Sequence, residues 1–579
     1  MQAKKPNINP MEKKVRNPTT LGFVILVSLF LPGVCASSND QSKHFVLVHG
    51  ACLGAWSWYK MVPLLKSHGH SVTAIDLAAS GINLLRANEL RTMSDYTKPL
   101  MDFMESLPEN EMVILVGHSY GGAAISQAME LFPHKITVAV FLTAFMPGPS
   151  LPFSLIFQQA LSNVETALDN KVTFDDGPNN PPTTLIFGPN YISHVLYQHS
   201  PPEDAVLATM LVRPARLATG EELVFTEFRY GSVNRVFIIS GGDQVLTKEI
   251  QEWMIEKNPP CRVLSIVGSD HMVMTSQPTQ LLAHLPEEKD QFKANPMEEN
   301  RRHPVILVLV ILMSILFANV HASKEHNPKH FVLIHGACLG AWSWYKLIPP
   351  LKSYGHNVTA IDLAASGINL LRASDIRTFS DYSKPLMDFM ESVPSTEKVI
   401  LVGHSFGGAA ISQAMELFPE KISVAVFVTA SMPGPSLPLS EIVQKAINRI
   451  GSALDNKLNF DNGPNSPPTS FIFGAQYTTQ VIYEFSPPQD PALAILLVRT
   501  VPLTSAEELV FTEARYGSVK RVFIIAEKDR VLTKEDQEWM IEKNPPSRVE
   551  TISGSDHMVM TSKTPQLVAH LLDIARDFS

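Results

Sequence analysis

The stretch Met112-Val-Ile-Leu-Val-Gly-His-Ser-Tyr-Gly-Gly122 joins a β-branched apolar run to a helical pattern over residues 123–132. It predicts a buried strand, a tight turn and a helix, with Ser119 at the apex of the turn. Glycines on both sides of the serine are expected to let the backbone turn sharply and to raise the hydroxyl above the sheet. The alternative, a serine that only caps the helix, is weakened because Gly403-His-Ser-Phe-Gly407 repeats the pattern after a second apolar run.

The chain contains two copies of one sequence unit. Phe45-Val-Leu-Val-His-Gly50 returns at residue 331 as Phe-Val-Leu-Ile-His-Gly, an offset of 286 residues. The same offset relates Ser119 to Ser405 and His271 to His557, so the copies differ by no net insertion or deletion across that stretch. A period of this length is that of a complete domain and not of a stacked solenoid repeat.

The composition argues against several classes of protein and of site. The chain has 579 residues, of which 45% are hydrophobic and 18% charged, so it is long enough for two or more globular domains and unlike a disordered chain. A net charge of −9 without a long basic run argues against a nucleic-acid partner. Four cysteines in so long a chain exclude a disulfide framework, and no two have the close spacing of a zinc or redox site.

Two apolar segments, Leu21–Val34 and Val305–Val320, have the pattern of secretory signals. Both are shorter than the roughly 20 residues that cross a bilayer, and both lead into an alanine typical of signal-peptidase sites. A membrane anchor or an ordinary apolar leader is the alternative for the first. Because a cleavable signal has no ordinary use in mid-chain, we interpret the sequence as two neighbouring tandem genes read as one. The alternative is a genuine two-headed protein with an internal anchor.

These boundaries predict four segments: an N-terminal extension with a signal-like segment (1–36), copy one (37–285), a linker with the second signal-like segment (286–322) and copy two (323–579). Copy two ends in a continuing helical pattern, whereas copy one turns after Leu285 into Pro286 and a polar run. We therefore expect the C-terminal helix of copy one to be truncated and copy one to be the weaker enzyme.

Short β-branched runs alternate with helical patterns in each copy, which predicts an α/β fold: a mostly parallel sheet flanked by helices. The segment from about Pro147 to Phe225 is richer in Pro, Asn and Gly and is expected to form a small cap over the site. In copy one the predicted strands are Phe45–Val48, Val72–Asp76, Met112–Val116, Ile136–Leu142, Arg235–Ile239 and Val263–Val267.

A serine hydroxyl becomes a nucleophile only when a base removes its proton, and that base needs an acid to fix its tautomer. Asp243 follows the fifth predicted strand and His271 follows the sixth, at the carboxyl ends where such sheets gather their ligands. The order Ser, Asp, His is typical of α/β hydrolases. The predicted catalytic residues are Ser119, Asp243 and His271 in copy one and Ser405, Asp529 and His557 in copy two.

Other polar residues near these strand ends have structural interpretations. Asp76 is better explained as a turn or helix-cap carboxylate, and Asp270 cannot easily orient the ring of its own neighbour His271. His49 and His118 are expected to fix the loops that carry them.

Acyl transfer builds an oxyanion that two backbone NH groups can stabilise. One should come from the residue after the nucleophile and the other from the loop after the first strand. The predicted donors are Tyr120 and Ala51 in copy one and Phe406 and Ala337 in copy two. Cys52 lies beside this loop and is expected to be a pocket wall, because no base is paired with it by motif.

Several motifs together resemble the plant methylesterase and hydroxynitrile lyase family of α/β hydrolases, over nearly all of both copies. Relatives of the salicylic acid binding type cleave methyl esters of salicylate, jasmonate or indole acetate, and the lyases decompose cyanohydrins. The resemblance thus implies two tandem α/β-hydrolase domains. The motifs are HFVLVHGACLGAWSWYK (44–60), VTAIDLAASGI (72–82), VILVGHSYGGAAISQAMELFP (113–133), FLTAFMP (141–147), FRYGSVNRVFI (228–238) and SDHMVM (269–274).

Two pocket positions separate the branches of that family. The lyases resemble one another in a threonine after the first-strand histidine and a lysine after the catalytic histidine. Here the positions are Gly50 and Met272, repeated as Gly336 and Met558. A thioether offers no charge to a leaving cyanide, whereas it suits the hydrocarbon part of an ester. The esterase is favoured, with a lyase or a hormone-binding receptor of little turnover as alternatives.

The sequence therefore predicts a serine carboxylesterase that works through an acyl-enzyme and needs no metal or organic cofactor. Its expected partner is a small-molecule ester, with membrane association only through uncleaved apolar segments; the resemblance allows a dimer. The expected location is the secretory route or the cell exterior if the leader functions, and the cytoplasm otherwise.

Overall fold

A computed structural model describes residues 42–286, 328–503 and 509–578, apart from residues 162, 163, 165, 166, 181 and 218–222. The two signal-like segments, Leu21–Val34 and Val305–Val320, lie outside these residues. Each copy forms the same architecture, a six-stranded parallel sheet covered by helices on both faces.

The central sheet of each copy is built from strands with the spatial order 2-1-3-4-5-6. All neighbouring strands are parallel, which requires the helical crossovers that the sequence pattern predicts. In copy one the strands are His44–Val48, Ser71–Ile75, Val113–Ser119, Ile136–Ala144, Arg235–Ser240 and Arg262–Ile266. In copy two they are His330–Ile334, Asn357–Ile361, Val399–Ser405, Ile422–Ala430, Arg521–Ala526 and Arg548–Ile552.

The α/β fold and all six predicted strands of copy one are confirmed, with small shifts at their ends. The largest difference is in the third strand, which continues to Ser119 instead of ending at Val116. Every residue from Val113 to Ser119 is buried, because this strand lies between two others and beneath helices. The nucleophile thus sits on the end of the strand itself.

Helices cover both faces of each sheet. Most of them bury one side against the strands, as the helical spacing of the sequence predicts, whereas the helices that follow the two serines are buried on nearly all sides. In copy one they are Met61–Ser67, Met93–Ser106, Gly121–Leu131, Lys248–Lys257, Val273–Ser276 and Pro278–His284. In copy two they are Ile348–Ser353, Phe379–Ser392, Gly407–Leu417, Lys534–Lys543, Val559–Ser562 and Thr564–Asp577.

The cap segment of each copy has regular structure of its own. A helix is followed by two strands, a second helix and a third strand, and the three strands form a small antiparallel sheet. In copy one the helices are Phe153–Leu161 and Pro202–Leu211 and the strands are Lys171–Thr173, Thr184–Ile186 and Ala215–Arg216. In copy two the helices are Leu439–Ile450 and Gln489–Leu497 and the strands are Lys457–Asn459, Ser470–Ile472 and Val501–Pro502.

The last helices of the two copies differ in length. Pro278–His284 has 7 residues, whereas its counterpart Thr564–Asp577 has 14 and buries Leu571, Ile574 and Ala575. Within the described parts of the chain, no helix has both the length and the apolar character needed to cross a membrane.

Candidate active site

Each predicted nucleophile lies on a strained turn between a strand and a helix. Ser119 has a φ of +53° and Ser405 a φ of +52°, in the left-handed region that L-residues rarely adopt. The helices Gly121–Leu131 and Gly407–Leu417 begin two residues later. The positive φ falls on the serine itself and not on Gly117 or Gly121. Strain of this kind is typical of functional residues.

The glycines serve close backbone contact instead. A side chain at Gly122 would place its Cβ 2.0 Å from the carbonyl oxygen of Phe145. The backbone NH of Phe145 in turn donates to the carbonyl of Ser119 at 2.9 Å. The start of the helix is therefore fixed against the end of the fourth strand, and this contact positions the serine.

The predicted base and acid are in contact in both copies. Nδ1 of His271 lies 2.7 Å from Oδ2 of Asp243, and the same atoms of His557 and Asp529 are also 2.7 Å apart. All four residues are buried. The other carboxylate oxygen of Asp243 accepts from the backbone NH groups of Val245 at 2.7 Å and Leu246 at 3.0 Å. With Nδ1 donating to the carboxylate, Nε2 is the nitrogen with a lone pair to accept a proton.

A threonine that sequence reasoning missed completes this group. The hydroxyl of Thr143 donates to the same Oδ2 of Asp243 that faces the imidazole, and Thr429 does so to Asp529. Both threonines have a φ of +37°, a strained value for a β-branched residue. The sequence feature that could have identified this residue is a polar side chain directly after the fourth predicted strand, Ile136–Leu142.

His118, which precedes Ser119 in the chain, connects the end of the serine strand to the loop of His271. The Nε2–H of His118 donates to the backbone carbonyl of His271 at 2.9 Å, and the two rings are 4.7 Å apart between centroids. Burial lowers the pKa of His118 well below its ordinary value, so the ring is neutral and acts as a support. Among the described residues no hydrogen bond joins the hydroxyl of Ser119 to the imidazole of His271; such bonds are often long until substrate binds.

Asp76 has the turn role that its position predicts. Its two carboxylate oxygens accept from the NH groups of Ala55 at 2.6 Å and Ile82 at 2.9 Å. Burial raises the pKa of this carboxyl to about 6. Asp362 makes the same contacts in copy two.

The loop after the first strand carries the predicted oxyanion donor Ala51. His49 fixes this loop, since its Nδ1–H donates to the carbonyl of Gly50 at 2.7 Å and its Nε2 accepts from the NH of Leu77 at 3.0 Å. Burial lowers the pKa of His49 to about 4, so the ring is neutral. The carbonyl of Cys52 accepts from Arg213 and that of Gly50 from Leu53, and none of these hydrogen bonds uses the NH of Ala51.

Cys52 is suited to lining the pocket and not to acting as a nucleophile. Its Sγ donates to the carbonyl of Leu185 at 3.2 Å, and burial raises the pKa of the thiol to about 12. A thiol this weakly acidic is not a thiolate near neutral pH. No group of three or more His, Cys, Asp or Glu side chains in the described ranges is arranged to hold a metal ion.

The two predicted pocket positions lie against the predicted catalytic residues. A Cβ at Gly50 would lie 2.8 Å from the Cβ and 3.2 Å from the Oγ of Ser119. Met272 directly follows His271 and is fully buried. Gly336 and Met558 have the same environment in copy two. A side chain at residue 50 or 336 would therefore crowd the serine.

Asp270 has a role that sequence reasoning missed. Its Oδ2 accepts from the backbone NH of His199 at 3.0 Å and from the hydroxyl of Ser200 at 2.8 Å, both in the cap segment. Its Oδ1 accepts from the NH of Met272 at 2.9 Å. The carboxylate next to the catalytic histidine thus joins the cap to the histidine loop.

The copies differ beside the acid. In copy two Glu527 accepts from the NH of Gly554 at 2.9 Å, which connects the loop of Asp529 to that of His557. Copy one has Gly241 at this position and uses Ser240 instead, whose hydroxyl donates to the carbonyl of Asp270 at 2.7 Å and lies 2.8 Å from the hydroxyl of Ser269. Copy two has Ala526 in place of Ser240, so the two copies hold their histidine loops by different side chains.

Known proteins match each half of the chain. The alpha/beta hydrolase family model matches residues 45–285 and again residues 331–571. The chain is 52% identical over 254 residues to methyl jasmonate esterase 1 from Vitis vinifera, covering 43% of this chain and 97% of that protein. It is 48% identical over 251 residues to salicylic acid-binding protein 2 from Nicotiana tabacum, covering 42% and 96%. It is 45% identical over 249 residues to methylesterase 10 from Arabidopsis thaliana, covering 42% and 90%.

These matches agree with the doubled sheet and with the strand–serine–helix turn found in both copies. Nearly the full length of each relative is covered by less than half of this chain, as expected for a domain present twice. The chain therefore belongs to the alpha/beta hydrolase family, in the group of the plant methylesterases, and is a carboxylic ester hydrolase.

Proposed function

We propose that the protein hydrolyses methyl esters of small plant hormone-type acids, such as salicylate, jasmonate or indole acetate, through an acyl-enzyme in each copy. The observation that carries this proposal is the buried carboxylate–imidazole pair found twice beside a strained serine. A hydrolase needs such a pair to turn a hydroxyl into a nucleophile at neutral pH.

The first half of the reaction uses the geometry of copy two as follows. Oγ of Ser405 attacks the ester carbonyl carbon while Nε2 of His557 takes the hydroxyl proton. Asp529, 2.7 Å from Nδ1, holds the required tautomer and stabilises the imidazolium that forms. The oxyanion is stabilised by the NH groups of Ala337 and Phe406, the latter at the beginning of a helix, where NH groups and the helix dipole favour negative charge.

The second half releases both products. The imidazolium gives its proton to the leaving methoxide, which departs as methanol and leaves the acyl group on Ser405. Water then attacks the acyl carbon as His557 takes its proton, and collapse of the second tetrahedral intermediate frees the acid and the serine. Copy one performs the same steps with Ser119, His271 and Asp243.

Ester hydrolysis is favoured over cyanohydrin cleavage by the residues at the pocket positions. Met558, directly after the base, is buried and uncharged, so it offers no positive charge to a leaving cyanide. Gly336 packs closely against Ser405, where a larger residue would crowd the nucleophile. The names of the relatives, a methyl jasmonate esterase and a methylesterase among them, support the same class of substrate.

The test is product release by the purified full chain. Methyl salicylate, methyl jasmonate and methyl indole-acetate are supplied in turn, and methanol and free acid are measured; we expect them in equal amounts. Mandelonitrile is supplied in parallel, and we expect no cyanide above the buffer rate. Cyanide release with no ester turnover would show that the protein is a hydroxynitrile lyase and not an esterase. Tight binding of an acid with negligible turnover at saturating ester would show that it is a hormone-binding receptor.

Ser119→Ala and Ser405→Ala, made singly, assign each activity to its copy. We expect copy two to contribute more, because its longer terminal helix buries further apolar residues. Equal contributions would show that these contacts do not limit turnover.

A further inference from the structure

The caps of the two copies are fastened to their domains by different chemistry. Five positions where cap and core meet are charged in copy two and uncharged in copy one. In copy two the residues are Lys445, Arg449, Glu484, Arg530 and Asp536, and 286 residues earlier, in copy one, they are Gln159, Asn163, Gln198, Gln244 and Ile250. We call the five charged residues the cap latch. Because both partners of each pair are replaced, the copies differ by whole ion pairs and not by single charges.

The first part of the cap latch joins the cap helix Leu439–Ile450 to the core helix Lys534–Lys543. Nζ of Lys445 lies 3.1 Å from Oδ1 of Asp536, and NH1 of Arg449 is paired with Oδ2 of the same carboxylate. Lys445 and Arg449 are four residues apart, so they lie on one face of the cap helix. The side chain of Asp536 is only 7% exposed. One nearly buried carboxylate of the core therefore holds two cations of the cap.

The second part joins the cap to the loop of the predicted acid. Arg530 directly follows Asp529 in the chain. Its NH1 donates to the backbone carbonyl of Gln480 at 3.2 Å and to Oε2 of Glu484 at 3.3 Å, and both of these residues belong to the cap segment. The residue next to the acid is thus bonded to the cap.

Both parts of the latch are within electrostatic reach of Tyr477, a buried residue of the cap. Burial raises the pKa of Tyr477 and the charge of Asp529 raises it further, whereas Arg449 and Arg530 act to lower it. The same side chain therefore senses the predicted acid and a cation from each part of the latch. The latch fastens the region of the cap that lies nearest the acid.

Copy one makes the corresponding contacts without charge. Nε2 of Gln198 donates to the backbone carbonyl of Gly242 at 2.8 Å, a neutral hydrogen bond between the cap and the acid loop. Helix Phe153–Leu161 contacts helix Lys248–Lys257, where Ile250 packs against the apolar core. Salt screens ion pairs between partly exposed groups, whereas it does not screen neutral hydrogen bonds or apolar contacts. The two caps should therefore respond differently to ionic strength.

We propose that the cap latch holds the cap of copy two closed over its site, so that ionic strength controls access to copy two and not to copy one. The inference rests on the proposed function, because access is measured by ester turnover. A methyl ester is uncharged, so salt acts on the latch and not on the attraction of substrate. Once salt loosens the latch, substrate binding must order the cap again. KM therefore rises, whereas kcat, which depends on the groups around the serine, is kept.

The test compares the copies within the full chain. Ser119→Ala leaves copy two to report, and Ser405→Ala leaves copy one. KM and kcat for one methyl ester are measured at about 0.01 M and about 1 M sodium chloride, between which the Debye length falls from about 30 Å to about 3 Å. We expect KM of copy two to rise about threefold or more, since each exposed ion pair changes an equilibrium by up to about fivefold. Its kcat, and both constants of copy one, should stay constant. An equal rise of KM in both copies would overturn the proposal.

Residues taken from copy one identify the latch. A chain whose latch residues are all replaced by their copy-one counterparts should lose the salt response of copy two. The substitutions are Lys445→Gln, Arg449→Asn, Glu484→Gln, Arg530→Gln and Asp536→Ile, made together with Ser119→Ala. If these five changes prevent folding, the pair Glu484→Gln and Arg530→Gln is measured instead and should lessen the response. A response that survives the substitutions in a folded chain would contradict the latch.

Lys534→Gln is the matched control. It removes a cation from the same core helix, where Lys534 pairs with Glu538 at 3.6 Å and not with the cap. The salt response of copy two should be kept in this variant. Loss of the response on Lys534→Gln would show that it depends on the total charge of the helix, and would contradict the latch.

Hydrogen exchange follows the cap without any turnover. In the unaltered chain the backbone NH groups of residues 475–483 should exchange faster at the higher salt concentration, and those of residues 189–197 should not. Such a difference in a chain that turns over no ester would contradict the proposed function and support the latch. Exchange that is independent of salt in both copies would overturn the latch, whatever the turnover.

Discussion

Asp556 accepts a hydrogen bond from the backbone NH of Phe485 at 2.9 Å, and this bond joins the cap of copy two to the loop that carries His557. The hydroxyl of Ser486 donates to the same oxygen at 3.1 Å, and the NH of Met558 donates to the other oxygen at 3.0 Å. Three donors therefore converge on one carboxylate. The position of the cap and the position of the base depend on the same residue.

Asp556→Asn should weaken this connection. The asparagine side chain has only one accepting oxygen, so its NH2 group would face a group that also donates. We expect kcat/KM for a methyl ester to fall about tenfold or more, since a hydrogen bond to a charged group contributes about 1.5–3 kcal/mol. The assay uses a chain with Ser119→Ala, so that turnover reports copy two. Ser486→Ala removes one donor of the three and should have the smaller effect; the opposite order would contradict this role of Asp556.

Thr429→Val should lower kcat, because the hydroxyl that donates to Oδ2 of Asp529 is lost while the shape of the side chain is kept. We expect a decrease of about tenfold, by the same charge-assisted hydrogen bond. Thr429→Ser retains the hydroxyl and should retain most of the activity. If the valine and serine variants are equally active, the threonine does not support the acid.

Gly336→Ala should lower kcat with little change in the fold. Its Cβ would lie 2.8 Å from the Cβ of Ser405, so the serine must shift from its position. A misplacement of about 1 Å at a reacting group can cost about 100-fold in rate. Thermal unfolding serves as the control for structure, and full activity in a normally folded variant would contradict the close contact.

Acid should destabilise copy two through its buried histidines. Burial lowers the pKa of His335 from 6.5 to about 4 and that of His404 well below its ordinary value. Between pH 6.5 and 4 the unfolded chain binds these protons and the folded chain does not. The stability present above pH 6.5 is therefore lost as the pH falls, by about 3 kcal/mol for His335. The carboxyl of Asp362, whose pKa burial raises to about 6, acts in the opposite direction over part of this range.

Urea unfolding at pH 7 and pH 5 measures this effect, and we expect the midpoint to be lower at pH 5. His335→Gln should reduce the difference between the two midpoints. His194→Gln, at an exposed position, should leave it unchanged. A midpoint that rises toward pH 5 in the unaltered chain would contradict the prediction.

The sequence was most informative where structure depends on neighbours along the chain. Apolar β-branched runs located the six strands of copy one, and strand ends located Ser119, Asp243 and His271. The motif located the turn at Ser119, but it does not reveal which residue takes the positive φ.

Contacts between distant segments were not predictable in the same way. Thr143 meets Asp243 across 100 residues and Asp270 meets Ser200 across 70, and neither pair belongs to a local pattern. Helix Gln489–Leu497 likewise contacts helix Met61–Ser67, more than 400 residues earlier in the chain. Such contacts follow from packing, which a single sequence does not specify residue by residue.

Methanol release by the double variant Ser119→Ala, Ser405→Ala tests the catalytic assignment most directly. It is compared with the unaltered chain on one methyl ester, after both proteins are shown to unfold at the same temperature. We predict that turnover falls by about 10³-fold or more, to the residual level that binding and oxyanion stabilisation alone provide. Methanol release at an undiminished rate would contradict a serine nucleophile in either copy.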